Sequence, residues 1–209
     1  MIFYDCQVAP SPRRARMIIA EKGMDIETVQ IDLGKGEQLD DDYKKINPSC
    51  TVPALKLNDG TVLCENIAIA DYLESIQPQP PLIGTTAQER AVVLDWNARI
   101  ELQGISALAE ILRNSAKGFA DRATTGPMNL AQIPELAERG RQRFQNFFPM
   151  LNEQLQGKEF VAGDFFSIAD IAAFVTTEFA GWVKESVPED CSAVQEWYAR
   201  VKARPSASA

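Results

Sequence analysis

The chain opens with two short apolar runs separated by a stretch in which apolar residues recur at the spacing of a helix. The runs over residues 2–6 and 26–31 predict strands, and the spacing between them predicts a helix that stops at Gly23. Pro12 suits the first helical position because its missing N–H costs nothing there, which places Ser11 at the N-cap. The first elements are therefore predicted to follow a β-α-β order.

Residues 47–74 carry the most detailed pattern in the chain. Alternating apolar positions over residues 54–64 predict two strands, and Asp59-Gly60 between them is a strong signal for a two-residue hairpin turn. Glu65-Asn66 then opens a helix with a buried apolar face. With a short helical turn before residue 47, the predicted order becomes β-α-β-α-β-β-α.

No strand signal follows this region. A Pro- and Gly-rich linker spans residues 77–84, and every later element reads as a helix. Helices are predicted over residues 87–115 and 133–156, from residue 167 onward, and over residues 193–203, with a loop over residues 118–129. The predicted fold class is α/β plus all-α, with one domain over residues 1–77 and an all-helical bundle over residues 88–209.

Ser167 and Asp170 match a capping box at the start of the third of these helices. The Ser167 side chain can cap the Asp170 N–H, while the Asp170 side chain reaches back to the Ser167 N–H. We interpret this motif as structural rather than catalytic.

Two features within residues 47–74 indicate a binding site. Pro53 stands where a strand should begin, and a proline cannot donate to the ladder, so the strand edge beside it stays open. Glu65-Asn66 lies at a helix N-terminus, where unpaired N–H groups attract a carboxylate. Either feature alone fits an ordinary hairpin or a capped helix. Together they indicate a site for a small anionic peptide.

The composition excludes several kinds of partner and of catalytic chemistry. The net charge of −8 argues against nucleic acid or an anionic membrane as a partner. No apolar run is long enough to span a membrane, we expect no signal peptide, and the four cysteines lack CxxC spacing. There is no histidine, which excludes Ser-His-Asp and Cys-His hydrolases and His-ligated metals. We therefore expect a cytoplasmic protein without a metal centre, whose chemistry uses hydroxyls, thiols, carboxylates, cations or backbone dipoles.

Four motifs, in order, carry a resemblance to a known family. They are Asn47-Pro48 with Val52-Pro53-Ala54-Leu55; Asp59-Gly60 with Leu63, Glu65-Asn66, Ala68-Ile69 and Tyr72-Leu73; residues 167–170; and Trp197 with Arg204-Pro205-Ser206 and Ala209. With these motifs the chain resembles the cytosolic glutathione transferase superfamily, as a bacterial-type member of unassigned class. The resemblance covers nearly the whole chain and implies a thioredoxin-like first domain.

The resemblance implies a glutathione site. Val52, which would precede a cis Pro53, would pair its backbone with the cysteinyl part of glutathione. Glu65 would hold the amino group of the γ-glutamyl end, and Asn66 with backbone N–H groups would hold its carboxylate. Gln38 falls where some classes bind the glycyl carboxylate. Cys50 stands where certain classes use a stronger donor, and we leave both Cys50 and Lys56 out of the site.

The family places its catalytic Tyr, Ser or Cys near the end of the first strand or the start of the first helix. Tyr4 lies within the strand and is expected in the core. Ser11 is favoured over Cys6, because it precedes Pro12 where Cys-Pro members carry their reactive thiol. Three arginines, Arg13, Arg14 and Arg16, add positive potential nearby, although ordinary solvated cations explain them equally well.

The resemblance implies a glutathione transferase, with glutathione as co-substrate, that attacks a small electrophile. The electrophile pocket is expected near residues 108–113 and the loop over residues 118–129. A homodimer is implied by resemblance alone. Two alternatives stay open: a glutathione-dependent oxidoreductase, peroxidase or isomerase, with thiol–disulfide exchange if Cys6 is the working residue, or a non-enzymatic regulatory module with the same fold.

Overall fold

The first part of the chain forms a mixed four-stranded sheet. A computed structural model describes all 209 residues. The strands are β1 (Ile2–Asp5), β2 (Glu27–Gln30), β3 (Ala54–Lys56) and β4 (Val62–Leu63). Their order in the sheet is β2-β1-β3-β4, with β1 parallel to β2 and antiparallel to β3, and β3 antiparallel to β4.

Three helices complete this part: α1 (Pro10–Glu21), α2 (Asp41–Ile46) and α3 (Asn66–Ile76). The order β-α-β-α-β-β-α is the predicted one, and the thioredoxin-like prediction is confirmed. The hairpin turn differs from the prediction. The Leu57 N–H donates to the Thr61 carbonyl, which leaves a three-residue loop with Gly60 at a φ of 92°.

The remainder is entirely helical, as predicted. Its helices are α4 (Ala87–Ile100), α5 (Ser106–Ser115), α6 (Pro134–Phe144), α7 (Phe147–Leu155), α8 (Ile168–Ala180) and α9 (Ser192–Lys202). Of these, α8 is the most deeply buried, because eleven of its thirteen residues are buried. None of the helices is both long and apolar enough to cross a membrane.

Two predicted long helices are interrupted. The helix over residues 87–115 contains a π-helical turn at Glu101–Ile105, between α4 and α5. Gly104 in this turn packs so closely that a Cβ there would lie 2.7 Å from Phe147 and from Thr176. The second prediction, one helix over residues 133–156, is wrong. The chain breaks between α6 and α7, because Pro149 lacks an N–H and must sit in a first helical turn.

A continuous core joins the sheet to the helices. One cluster of 38 buried residues includes Phe3 and Leu55 of the sheet together with Leu108, Phe147 and Trp197 of the helical part. A smaller cluster of six residues covers the other face of the sheet. The two parts of the chain are therefore packed together by apolar surface as well as by polar contacts.

The predicted capping box at Ser167 is confirmed and extends further than expected. Asp170 accepts hydrogen bonds from the Ser167 N–H and hydroxyl, the Val161 N–H and the Trp197 indole. Asp170 is fully buried, and burial raises its pKa to about 6 although these donors act to lower it. The motif thus fixes the start of α8 against two other segments.

Candidate functional site

Strand register brings the sequence-predicted site segments to one end of the sheet. Tyr4 pairs with Ala54, so the chain leaving β1 lies beside the residues that precede β3. Leu55 pairs with Leu63, so the chain leaving β4 reaches the same end. The segment before α1, the Val52–Pro53 pair and the start of α3 therefore converge there.

Ser11 lies in the first turn of α1 and is not its N-cap. The helix begins at Pro10, its N-cap is Ala9, and no side chain caps it. Pro10 and Pro12 both lack an N–H, so only the Ser11 N–H is free in this turn. The prediction of Ser11 as N-cap is therefore wrong, which also removes helix capping as an explanation for this hydroxyl.

The hydroxyl of Ser11 accepts two hydrogen bonds. Asn66 donates its Nδ2 to Ser11 Oγ at 3.0 Å, and Arg14 donates its Nη2 at 3.2 Å. A hydroxyl has two acceptor positions and one proton. Because both acceptor positions are filled and the proton has no acceptor within the chain, the Ser11 hydroxyl is free to donate to a bound group.

Side-chain hydrogen bonds hold the backbone next to Val52 in place. Thr51 presents a carbonyl oxygen that accepts from the Tyr43 hydroxyl at 2.6 Å and from Asn47 Nδ2 at 2.8 Å. The Val52–Pro53 bond is cis. Neither the N–H nor the C=O of Val52 has a hydrogen-bond partner within the chain, so both can pair with an extended peptide. Sequence reasoning gave no role to Tyr43, whose buried hydroxyl has a raised pKa and stays a neutral donor.

The start of α3 offers donors and acceptors side by side. Asn66, Ile67 and Ala68 have N–H groups without partners in the chain. Glu65, the N-cap residue, has an exposed side chain. The Asn66 Oδ1 atom is buried and unpaired, because the Nδ2 of the same amide is directed at Ser11. An anion can meet the N–H groups while a cation meets the exposed Glu65 carboxylate.

Gln38 stands apart from the other five predicted site residues. It lies in a 3₁₀ turn, Glu37–Leu39, on the segment that follows β2. Its Oε1 is buried without a partner, and no hydrogen bond joins Gln38 to the rest of the predicted site. The structure leaves its amide free but does not bring it into contact with Ser11 or Asn66.

The alternative catalytic residues lie in the interior. Tyr4 and Cys6 are 7% and 5% exposed and belong to the smaller apolar cluster, where Tyr4 stacks edge-on against Tyr43. Cys50 is 3% exposed, and its thiol faces the Pro48 carbonyl. Lys56 pairs with Ile2 at the opposite end of β1. Lys56 therefore lies away from the end of the sheet where the predicted site segments converge.

The arginines of α1 are not solvated cations. Arg13 pairs with Glu178 at 3.6 Å, and Arg16 pairs with the buried Asp5 at 2.6 Å. Arg14 pairs with Glu101 of the π-helical turn. All three are therefore committed to specific carboxylates, and only Arg14 also reaches Ser11.

The loop over residues 118–129 lies beside the site. Arg122 holds it by donating to the Gly126 carbonyl at 2.7 Å and to Asn129 Oδ1 at 2.9 Å. Gly126 approaches the segment before Val52, since a Cβ there would lie 3.4 Å from the Ser49 carbonyl oxygen. By contrast, Leu108 of α5 is fully buried in the core.

No cluster of three or more His, Cys, Asp or Glu side chains with metal-binding geometry is present in the structure. The polar groups gathered at the end of the sheet are a hydroxyl, an amide, a carboxylate and backbone N–H and C=O groups. They suit a zwitterionic peptide.

Comparisons with known proteins found similar chains and similar structures. Family models for the N-terminal and C-terminal domains of glutathione S-transferases match residues 9–76 and 118–205. Glutathione S-transferase 2 of Saccharomyces cerevisiae is 36% identical over 209 residues, covering 99% of this chain and 87% of the relative. A glutathione S-transferase domain-containing protein of Marinobacter aquaeolei VT8 has a crystal structure that matches with a TM-score of 0.91, at 35% identity and 99% coverage of both chains. Gtt2 of Saccharomyces cerevisiae matches with a TM-score of 0.90 at 35% identity, covering 99% of this chain and 98% of the other.

Proposed function

Because the chain belongs to the glutathione S-transferase family, we propose that Ser11 stabilises the thiolate of glutathione for attack on a small electrophile. The protein is a glutathione transferase, with glutathione as its co-substrate. The observation that carries the assignment of Ser11 is its hydrogen bond to Asn66, at 3.0 Å. It joins the proposed catalytic hydroxyl directly to a residue proposed to bind glutathione.

The γ-glutamyl end of glutathione fits the start of α3. Its carboxylate would meet the free N–H groups of the first helical turn, where the helix dipole also favours an anion. Its ammonium group would meet the exposed carboxylate of Glu65. Because the Nδ2 of Asn66 donates to Ser11 and its Oδ1 is buried, we propose that Asn66 binds the carboxylate through its backbone N–H.

The cysteinyl and glycyl residues of glutathione would extend along the end of the sheet where the site segments converge. The free N–H and C=O of Val52, beside Pro53, would pair with the cysteinyl residue in the manner of an added strand. The Nε2 of Gln38, which has no hydrogen-bond partner in the chain, is proposed to donate to the glycyl carboxylate. This arrangement would direct the cysteinyl sulfur toward the turn that carries Ser11.

The chemistry needs no histidine. A free thiol has a pKa of about 8.5, and lowering it by two units takes about 2.7 kcal/mol. A hydrogen bond to a charged group contributes about 1.5–3 kcal/mol, and a helix N-terminus about 0.3–1 kcal/mol. The hydroxyl of Ser11 would donate to the sulfur as the thiol proton leaves to solvent. The thiolate electron pair then forms the carbon–sulfur bond, and the electrophile releases its leaving group or takes up a proton.

The electrophile would be held between the two parts of the chain. The division into a glutathione-binding domain over residues 1–77 and a helical domain over residues 88–209 belongs to this proposal. The loop over residues 118–129 is proposed to border the electrophile, because Gly126 approaches Ser49 beside the glutathione segment. A homodimer in the cytoplasm is part of the same proposal, on the precedent of the family.

Conjugation assays on two variants test this proposal. The protein should bind immobilised glutathione and conjugate a chloronitrobenzene or an isothiocyanate. Ser11→Ala should lower kcat/KM by about 10- to 150-fold, the loss expected for one hydrogen bond to a charged sulfur. Cys6→Ser, the matched control, should retain activity because Cys6 is buried.

Two outcomes would overturn the proposal. Unchanged activity in Ser11→Ala together with abolished activity in Cys6→Ser would assign thiol–disulfide chemistry to Cys6 instead. No retention on glutathione and no conjugation of either electrophile would favour a non-enzymatic module.

A further inference from the structure

Arg14 is a buried cation that joins the two parts of the chain at the proposed catalytic hydroxyl. It is 6% exposed and belongs to α1. Its Nη1 pairs with the carboxylate of Glu101, which begins the π-helical turn. Its Nη2 donates to Ser11 Oγ at 3.2 Å. One guanidinium therefore connects a carboxylate of the helical part to a hydroxyl of the sheet part.

We propose that Arg14 is a positioning residue for Ser11 and that Glu101 holds it in place from the helical domain. This inference rests on the proposed role of Ser11 in stabilising the glutathione thiolate. It gives the helical domain a part in activating glutathione, through the Glu101–Arg14–Ser11 contacts, in addition to holding the electrophile.

The hydrogen-bond count explains how Arg14 would act. With Arg14 and Asn66 both donating to Ser11 Oγ, the hydroxyl proton can point only away from them. A hydroxyl that accepts from a cation is polarised and becomes a better donor, as in other charge-assisted networks. Arg14 would thus fix the direction of the Ser11 proton and strengthen the hydrogen bond it makes.

Glu101 is suited to hold Arg14 because it belongs to a closely packed turn of the backbone. The π-helical turn that begins at Glu101 also contains Gly104, which is in such close contact with Phe147 and Thr176 that no Cβ would fit. The carboxylate of Glu101 is therefore presented from a tightly packed turn. Arginine has many rotamers, so the ion pair with Glu101 removes freedom that the guanidinium would otherwise have.

No other charged group competes for Arg14 in the small cavity beside it. This cavity, of about 10 Å³, is lined by Arg14 and by seven uncharged residues, including Asn66 of α3, Asn97 of α4 and Ile171 of α8. The Nε of Arg14 has no hydrogen-bond partner there. Glu101 is the only carboxylate with which Arg14 forms an ion pair in the structure.

The ion pair of the neighbouring residue Arg13 provides a matched control for the Arg14–Glu101 pair. It also reaches from α1 to a carboxylate of the helical part, Glu178, but it does not contact Ser11. Removing the charge of Glu178 therefore breaks an inter-domain ion pair of the same kind without touching the proposed network.

The pH dependence of kcat/KM for the electrophile, measured at saturating glutathione, tests the inference. Glu101→Gln should raise the apparent pKa of the bound thiol by about half a unit to one unit, which lowers activity by about 3- to 10-fold at pH values well below the wild-type pKa of the bound thiol. KM for glutathione should change by less than about 2-fold, because the glutathione contacts are intact. Glu178→Gln should leave the pH profile unchanged. The Glu101 side chain is 42% exposed, so the variant should fold, which thermal unfolding will verify.

Double variants that combine Glu101→Gln or Glu178→Gln with Ser11→Ala distinguish a failure of this inference from a failure of the proposed function. If Arg14 acts through Ser11, Glu101→Gln should have no effect on the pH profile once Ser11 is alanine. An equal shift in both backgrounds, no shift in either, or an equal shift in Glu178→Gln would overturn the inference while Ser11→Ala still loses activity. If Ser11→Ala itself has no effect, the proposed function fails instead.

Discussion

At the residue scale, the environment of Ser11 depends on which of two prolines begins the first helix. Pro10 and Pro12 both suit a first helical turn, and the sequence does not distinguish them. The helix begins at Pro10, which moves Ser11 inside the turn and aims its hydroxyl at Asn66. The choice of Ser11 could be made from sequence, but its partners could not, because Arg14 and Asn66 meet it only through tertiary packing.

The proposed ammonium contact of Glu65 gives a prediction at this scale. Glu65→Gln keeps the side-chain shape but removes the charge, so glutathione should bind more weakly by about 1–2 kcal/mol. KM for glutathione should rise by about 5- to 30-fold with a smaller change in kcat, measured at saturating electrophile.

Asp59→Asn is the matched control for Glu65→Gln. Asp59 is an exposed carboxylate in the β3–β4 loop, at the far end of the sheet from the site. Its replacement should leave KM unchanged. Equal effects of the two replacements would show that net charge, rather than a contact by Glu65, controls binding.

At the element scale, apolar periodicity predicted nearly every helix and strand but not the interruptions. The π-helical turn at Glu101–Ile105 has no sequence signal beyond Gly104, since its cause is the close approach of Phe147 and Thr176. The break before α7 did have a signal in Pro149, which the apolar spacing on both sides obscured. Interruptions set by packing against distant residues cannot be read from a local pattern.

The capping box of α8 predicts a pH-dependent stability. Burial raises the pKa of Asp170 from 3.8 to about 6, so between these values the folded protein binds more protons at this site than the unfolded chain. The contribution of Asp170 is therefore greatest below pH 3.8 and is lost as the pH rises to about 6. In urea unfolding, the free energy of unfolding of the wild type relative to Asp170→Asn should fall by about 2 kcal/mol from pH 4 to pH 7.

The free energy of unfolding of the wild type relative to Asp170→Asn would contradict this prediction if it stayed constant with pH or increased as the pH rose. Such a result would mean that the four donors to Asp170 outweigh its burial and keep the carboxylate ionised.

At the scale of the whole molecule, the two predicted parts of the chain are joined more closely than their sequences indicate. The linker before α4 is held by Lys22 and Glu74, which pair with each other, and Lys22 also binds the Pro80 carbonyl. At the other end of the chain, Arg204 binds Glu21 of α1 through two hydrogen bonds of 2.8 and 2.7 Å and lies 3.9 Å over the Phe166 ring. The Arg-Pro-Ser motif was identifiable in the sequence, but its partner Glu21, 183 residues earlier, was not.

Arg204→Ala should destabilise the whole protein. It leaves Glu21, whose side chain is 8% exposed, without its charged partner, at a cost of about 1.5–3 kcal/mol, because Arg204 is 32% exposed and Ser206 still donates to Glu21. Chemical denaturation measures this loss. Arg90→Ala is the control: its pair with Asp71 is solvent-exposed and should contribute less than about 1 kcal/mol. Similar losses in the two variants would argue against an inter-domain role for Arg204.

The most direct test of the central claim is the ultraviolet titration of the glutathione thiol bound to the wild type and to Ser11→Ala. In the wild type, the bound thiol should ionise about one to two units below the value of about 8.5 for a free thiol. In Ser11→Ala, its pKa should rise by about one to two units while glutathione affinity is retained, because one hydrogen bond to the thiolate is lost. The same bound pKa in both proteins would contradict the assignment of Ser11.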